Sequence, residues 1–260
     1  MVIEQACQRT FLGVAALLFV LSVGVTSAWC ASMSAMGGMP MPGGWTLSMA
    51  WMRMPGQTWS GTALSFVGMW LAMMVAMMLP SLVPMLSRYR RAVGSAGESS
   101  LGRLTAVAGA GYFFVWTVIG IAAFPIGVAL AALAMRLPEL ARGVPTAAGV
   151  IVLIAGALQF TAWKAHHLAC CRKPKASSPI LTANASTAWR HGLRLGLHCS
   201  YCCAGLTMSL LVIGVMDWRA MAIVAVAITL ERLAPFGQRV AQAIGVVAIG
   251  AGLLLIARAI

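Results

Sequence analysis

The chain has 260 residues, of which 61% are hydrophobic and only 9% are charged, and 18 Lys and Arg against 5 Asp and Glu give it a net charge of +13. Soluble globular domains carry about a quarter charged residues, so this composition excludes a water-soluble protein. A transmembrane barrel is also excluded, because its strands alternate apolar and polar residues whereas the apolar runs here are continuous. The sequence therefore predicts an all-α polytopic membrane protein with a single integral-membrane domain over residues 1–260.

Charge-poor stretches predict the membrane spans. Stretches of spanning length cover residues 11–31, 62–86, 104–135, 143–163, 195–216 and 240–257. The run 220–230 crosses a bilayer only within a longer helix, about 218–234, that carries Glu231 and Arg232 with it. The prediction is about seven spans, or six if this segment is re-entrant. The first span resembles a secretory signal in the small residues that end near Ala28. It is interpreted as an uncleaved helix, because it is span-length and Arg9 is its only basic flank.

The distribution of Lys and Arg predicts the orientation. With a cytoplasmic N-terminus most of the basic residues lie inside, including the basic loop 164–194, while the Met- and Trp-rich loop 34–61 and the C-terminus lie outside. The loops are too short to hold a nucleic-acid-binding module. The excess positive charge therefore indicates contact with the anionic inner leaflet of a lipid bilayer and not with nucleic acid.

Methionine is concentrated in two segments. Seven of the 18 lie between residues 33 and 54 and six lie between residues 69 and 85. Thioethers are uncharged soft ligands that suit Cu(I), although packing at the lipid interface explains the first group equally well. In the second group Met69, Met73 and Met77 recur every four residues along one helix face. Core packing is the favoured interpretation there, and a ladder of thioether ligands that includes Met73 and Met77 is the alternative.

Cysteine gives the most specific pattern. Cys170 and Cys171 close the predicted fourth span, whereas Cys199, Cys202 and Cys203 open the fifth, so that all five are expected near the cytoplasmic face. Disulfides are not expected there, because the cytosol keeps thiols reduced. The spacing 199, 202, 203 brings three thiols to one helix face, which is a geometry for a soft metal ion. Burial as small apolar side chains is the alternative.

The predicted fourth span adds polar residues near these thiols. Gln159, Trp163, His166, His167 and Cys170 have the spacing of one helix face. His167 is a candidate metal ligand, and a solvated histidine is the alternative. Glu231 is expected to form a structural ion pair with Lys164 or Arg194, because an unpaired carboxylate is costly inside a membrane.

Several motifs of the chain together carry a family resemblance. They are WLAMMVAMMLPSLVPM at 70–85, the element K-x-x-H-L-x-x-C-x-x-P at 164–174, GLHCSYCCAG at 196–205, GVMD at 214–217 and the pair Glu231-Arg232. This set resembles the bacterial family of predicted metal-binding integral membrane proteins, a domain of unknown function. The resemblance implies a helical membrane protein with a metal site. His167 stands where members usually have cysteine, and this exchange keeps a group that can bind metal.

The sequence therefore predicts a multi-pass protein of the bacterial inner membrane that binds a soft transition metal through its cysteines. Cu(I) is favoured and Zn is the alternative, since thiolates bind both. A role in metal transfer implies a partner, either a metallochaperone or a membrane complex. A membrane thiol-disulfide oxidoreductase using Cys199 and Cys202, and an accessory subunit with a purely structural metal site, remain open. No catalytic motif is evident, so a binding protein is expected rather than an enzyme. Gly245, Gly250 and Gly252 permit close helix contacts and a homo-oligomer.

Overall fold

A computed structural model describes residues 2–53, 56–93, 98–172 and 184–259, without the side chains of 2–6 and 98–99. Within these ranges the chain forms eight helices, and six of them are long and apolar enough to cross a membrane. The prediction of a helical multi-pass membrane protein is thereby confirmed. The helices are α1 (Val2–Met36), α2 (Trp59–Val93), α3 (Glu98–Arg136), α4 (Pro138–Leu158), α5 (Ala162–Arg172), α6 (Ala185–Ile213), α7 (Trp218–Leu233) and α8 (Gly237–Ala259).

The direction of helix α7 follows from the packing of the longer helices α3, α4, α6 and α8. Helices α3 and α4 are joined through Leu137 alone. Helix α6 runs parallel to α3, because Gly192 contacts Ala108 while Gly196 contacts Tyr112. Helix α8 runs antiparallel to α4, with Gly252 against Gly149 and Gly245 against Gly156. Helices α6 and α8 therefore point the same way, and α7 must return the chain across the bundle between them. Its 16 residues span about 24 Å, which is consistent with a seventh span.

Gly245 and Gly252 of α8 pack closely against α4. A Cβ on Gly252 would lie 2.8 Å from the carbonyl oxygen of Gly149, and one on Gly245 would lie 2.9 Å from that of Gly156. These small residues let the α4 and α8 backbones approach closely. Gly250 has nothing within 4 Å of its Cβ position. The close contacts expected from these glycines are thus made between α4 and α8.

The predicted fourth span, residues 143–163, extends beyond the end of its helix. Helix α4 ends at Leu158, and the amides of Gln159, Phe160 and Thr161 donate to the carbonyls three residues earlier. This tightening to a 3₁₀ pattern ends the α-helix. Helix α5 then starts afresh, with the Thr161 hydroxyl accepting from the amide of Lys164 at 3.3 Å. The single helix face that the sequence predicts from Gln159 to Cys170 is therefore not formed.

The Met-rich loop 34–61 contains regular structure. Strands β1 (Met39–Met41) and β2 (Trp45–Leu47) form an antiparallel hairpin, and a 3₁₀ turn covers Met49–Trp51. The hairpin turn needs glycine, because Gly43 and Gly44 have φ angles of 97° and 76°. The Trp45 indole donates to the carbonyl of Ala141 at 2.8 Å and ties the hairpin to the start of α4. Part of the loop is therefore ordered by the hairpin and the 3₁₀ turn, and Met54 lies outside the described residues.

The basic loop 164–194 is shorter than predicted. Helix α5 covers the first residues of the predicted loop, and α6 begins at Ala185. Asn184 caps α6, with its side chain accepting a hydrogen bond from the Thr187 amide at 3.0 Å. Lys173, Pro174 and Lys175 fall outside the part of the chain that the structure describes. Because α6 starts well before residue 195, Cys199, Cys202 and Cys203 lie in the middle of this helix and not at its beginning.

Candidate soft-metal site

Four buried thiols from two helices meet in the core. Cys171 of α5 and Cys199, Cys202 and Cys203 of α6 are each at most 2% exposed. The Cys171 thiol lies close to that of Cys202, and the Cys203 thiol lies close to those of Cys199 and Cys202. The two cysteine groups, remote in sequence, are therefore brought together as one thiol cluster.

Arg232 of α7 is the main cation at this thiol cluster. Its Nη2 donates to the sulfur of Cys199 at 2.8 Å and to that of Cys203 at 3.1 Å, while Nη1 donates to the Ser81 hydroxyl at 3.1 Å. The side chain is 4% exposed. Among the described residues no carboxylate forms an ion pair with it. A buried cation needs a counter-charge, and a thiolate at one of the two sulfurs is the group placed to supply it.

A second buried ion pair closes the other side of the cluster. Lys164 Nζ lies 2.7 Å from Glu231 Oε2 and donates to the carbonyl of Cys202, also at 2.7 Å. Both side chains are buried, at 5% and 1% exposure. The expected Lys164–Glu231 pair is thus formed, and its charges cancel. Glu231 Oε1 has no hydrogen-bond partner in the described structure. The net charge near the thiols therefore comes from Arg232.

Tyr112 and Met78 complete the contacts of Cys199. The phenol oxygen of Tyr112 on α3 lies 2.7 Å from the Cys199 sulfur, and the Met78 thioether on α2 lies 3.9 Å from it. Measured along α2, Met78 is ten residues from Arg88, or about 15 Å. Tyr112 lies about 14 Å from Arg103 along α3 on the same measure. The cluster therefore lies well inside the bundle, deeper than the helix-end position predicted from the sequence.

Cys170 and His167 lie outside the thiol cluster. The Cys170 sulfur is 3.8 Å from His166 Nε2, and Nδ1 of His167 is 3.4 Å from Nδ1 of His198. Burial lowers the pKa of His167, and the neighbouring His198 and His166 lower it further. His167 is therefore a neutral imidazole near pH 7, able to accept a proton or bind a metal ion. These residues form a separate, partly exposed group, because adjacent positions on α5 face different directions.

Met73 and Met77 also lie apart from the thiols. Both are buried, at 2% and 3% exposure, and both line a cavity of about 460 Å³ between α1, α2 and α7. Met78, one position further on, turns towards Cys199 instead. The predicted stripe of Met69, Met73 and Met77 is present on α2, while the contact with the thiols is made by the neighbouring face.

The thiol cluster is compact without being arranged as a closed metal cage. Across the described residues, no group of three or more His, Cys, Asp or Glu side chains is positioned to hold a metal ion. A tetrahedral zinc site needs four such ligands around one point. Thiols and a thioether are, however, the kind of soft donors that soft metal ions prefer.

Sequence reasoning missed Arg232, Tyr112 and Met78 as members of this site. Arg232 had a signal, since an arginine inside a span-length apolar run needs a partner. Tyr112 stands alone in an apolar helix and gives no comparable signal. Met78 could be separated from Met77 only with the rotation of α2 known, because both belong to the same methionine-rich run.

Fold and site together define a polytopic helical membrane protein with a buried, sulfur-rich centre that contains an arginine. Residues 67–255 match the family PpoB2, described as a copper chaperone. This match covers more than half of the chain, so the protein belongs to that copper chaperone family. No curated protein and no solved structure matches the chain. The expected metal-related membrane family is confirmed in these broader terms, and the family description is copper-related.

Proposed function

We propose that the protein binds Cu(I) as a cargo ion at the sulfurs of Cys199 and Cys203 and passes it to a partner. The observation that supports this proposal most directly is that the buried Arg232 donates hydrogen bonds to both sulfurs and forms no ion pair with a carboxylate among the described residues. Cu(I) is a soft monocation that thiolates and thioethers select. The family description fits this cargo.

Charge balance favours Cu(I) over Zn(II). Two thiolates, one Cu(I) ion and the Arg232 guanidinium sum to zero, which minimises the cost of holding charge in a low-dielectric interior. Zn(II) with the same two thiolates would leave one uncompensated positive charge. Neutrality with zinc needs a third thiolate, and zinc further prefers four ligands. The observed pair of sulfurs on one guanidinium therefore suits the monocation.

The neighbouring sulfurs provide a route for ligand exchange. Met78 is in contact with Cys199, and neighbouring thiols continue from Cys203 through Cys202 to Cys171 on α5. Soft ions move between such ligands when one sulfur binds before another leaves. Cys170, His167 and His198 lie beside the cluster cysteines on α5 and α6 and offer partly exposed ligands. A metallochaperone or a membrane complex of the bacterial inner membrane would receive or supply the ion there.

Two other functions predict different results. In a thiol-disulfide oxidoreductase, Cys199 and Cys202 form a disulfide under oxidant and the purified protein holds no metal. Burial of every thiol in the cluster disfavours this function, because exchange needs access by a second thiol. In an accessory subunit with a structural site, loss of Cys199 or Cys203 lowers thermal stability without changing copper transfer.

Copper analysis of cysteine variants tests the proposal. Protein purified in detergent is loaded with Cu(I) under reducing conditions and dialysed against a chromophoric Cu(I) chelator. The wild type is compared with Cys199→Ser/Cys202→Ser/Cys203→Ser and with Cys30→Ser, a buried cysteine of α1 outside the cluster. We expect tightly held copper in the wild type and in Cys30→Ser, and its loss in the triple variant. Equal copper in all three proteins would refute the proposed site.

A further inference from the structure

A second sulfur-rich group lies at the opposite end of α2 from Arg88. Six methionines there wall a cavity of about 250 Å³, and they are Met33, Met36, Met49, Met52, Met69 and Met216. We call it the methionine pocket. The six come from the end of α1, the 3₁₀ turn and the residue after it, the first half of α2 and the turn between α6 and α7. Four separate segments thus direct thioethers to one place.

The exposure of these methionines argues against simple packing. Met36 is 43% exposed, Met33, Met49 and Met52 are half-buried, and Met69 is 4% exposed. The thioethers therefore form a continuous series from the surface to the core. Methionine is an adaptable side chain that normally fills irregular gaps. Here the side chains surround a cavity and leave it open.

The other lining groups select against hard cations. The polar ones are Gln57, Thr62 and Ser65, and the Thr62 hydroxyl donates to Oε1 of Gln57 at 3.3 Å. All twelve lining residues belong to the described structure, and none is an acid, a histidine or a cysteine. A hard dication would find no negative charge here. Uncharged thioethers are suited to Cu(I) and to its chemical analogue Ag(I).

Met69 connects the methionine pocket to the thiol cluster. It lines the pocket and also begins the stripe that continues with Met73 and Met77, all of them buried. Successive members are one helical turn apart, about 6 Å. Met78, which contacts Cys199, lies about 14 Å from Met69 along α2. Soft ligands therefore occur at short intervals between the two groups.

We infer that the methionine pocket is a second Cu(I) site, weaker than the thiol cluster, at which the ion enters or leaves the protein. The choice of Cu(I) as the ion rests on the proposed function. Thioethers carry no charge, so they hold a cation less tightly than thiolates do and release it more easily. Because the pocket reaches the surface and binds weakly whereas the thiol cluster is buried and binds tightly, an ion that enters at the pocket is expected to move on to the thiols.

Methyl NMR tests the methionine pocket directly. The full chain is labelled with ¹³C at the methionine methyls, and Ag(I), which is not redox-active, is titrated into the detergent-solubilised protein. The pocket variant is Met33→Leu/Met49→Leu/Met52→Leu, which conserves side-chain volume and so preserves packing. Met208→Leu is the matched control, because Met208 is 50% exposed on α6 and outside the pocket. The thiol variant is Cys199→Ser/Cys202→Ser/Cys203→Ser.

Each variant has a distinct expected result. The wild type and Met208→Leu bind Ag(I) in a tight and a weak step. The pocket variant loses the weak step, with affinity at least tenfold lower, and the thiol variant keeps it, with shifts at the methyls of Met69 and Met216. If the pocket variant retains both steps, or these methyls do not move in excess Ag(I), the pocket inference is overturned and the thiol proposal stands. If the thiol variant retains the tight step and the pocket variant loses it, the thiol proposal fails instead.

Discussion

At the scale of single residues, the unusual feature is that two buried cations face a centre made mostly of sulfur. Lys164 is neutralised by Glu231 at 2.7 Å, whereas Arg232 contacts the sulfurs of Cys199 and Cys203. A planar guanidinium can donate to two acceptors at once and keeps its proton when buried. Arg232 is therefore placed to stabilise negative charge on these sulfurs, which is the positioning role that the proposed Cu(I) site needs.

Replacing Arg232 should weaken Cu(I) binding without removing any ligand. In Arg232→Gln the copper-thiolate pair loses its counter-charge, and hydrogen bonds to a charged group are worth about 1.5–3 kcal/mol. We expect Cu(I) affinity to fall roughly tenfold to a hundredfold, measured by competition with a chromophoric chelator. The Cu(I) affinity of Arg232→Lys should lie between those of Arg232→Gln and the wild type, because lysine keeps the positive charge but lacks the forked donors of the guanidinium. Arg239→Gln is the control, because Arg239 is exposed, and its Cu(I) affinity should equal that of the wild type. If Arg232→Gln also has wild-type affinity, Arg232 does not stabilise bound copper.

The Lys164–Glu231 pair should behave as a coupled unit. Removing one partner leaves a buried charge unpaired, which costs about 3–5 kcal/mol, whereas removing both with apolar residues of similar size is often tolerated. Lys164→Met and Glu231→Leu should each lower the thermal unfolding midpoint in detergent strongly, and the double variant should recover most of the loss. Additive losses in this double-mutant cycle would show that the two side chains do not interact.

At the scale of helices, close packing of α3 on α6 sets the position of the thiol cluster. A Cβ on Gly192 of α6 would lie 2.1 Å from the carbonyl oxygen of Ala108 on α3, and one on Gly196 would lie 2.9 Å from that of Tyr112. The two backbones are therefore in contact one turn or two before Cys199. This contact holds the Tyr112 phenol 2.7 Å from the Cys199 sulfur.

An added methyl group at Gly192 should separate these helices. Gly192→Ala is expected to cost about 1–3 kcal/mol through overpacking and to lower Cu(I) affinity by displacing Tyr112 from Cys199. Gly109→Ala on the facing helix α3 is the control, because nothing lies within 4 Å of its Cβ position. That substitution should instead raise stability by up to about 1 kcal/mol through helix propensity. Thermal unfolding measures the stability of both variants, and chelator competition measures their Cu(I) affinity. Equal stability and equal affinity in the two variants would show that the contact at Gly192 does not position the thiol cluster.

Sequence patterns predict the helices here better than the site. Apolar runs locate the spanning helices because the bilayer imposes one length and one composition on all of them. The break at Gln159–Thr161 escapes prediction, because it depends on local 3₁₀ hydrogen bonds and a threonine cap in an otherwise apolar run. The spacing of Cys199, Cys202 and Cys203 predicts a shared helix face. It does not predict Arg232, whose approach to two sulfurs depends on how α7 packs against α6.

At the scale of the whole molecule, the ends of the helices separate the two sulfur-rich groups. The end of α1, the start of α2 and the turn between α6 and α7 share the end of the bundle that carries the methionine pocket. Arg88, Arg90 and Arg91 terminate α2 at the other end. The positive-inside rule assigns the arginine end to the cytoplasm. The methionine pocket would then open outside, and the thiol cluster lies between the pocket and the arginines.

This arrangement requires α7 to cross the membrane, although it is the shortest of the proposed spans. Arg219 at its start and Gln238 at the start of α8 are both exposed, so cysteines placed there can be labelled. Because α6 and α8 run parallel, the two positions must lie on opposite sides. We expect a membrane-impermeant maleimide to label Arg219→Cys on intact cells and Gln238→Cys only in inverted vesicles, with the unsubstituted protein giving the background from native cysteines. If both positions react from the same side, α7 is re-entrant, the chain has six spans, and the methionine pocket and α8 cannot have the orientation inferred here.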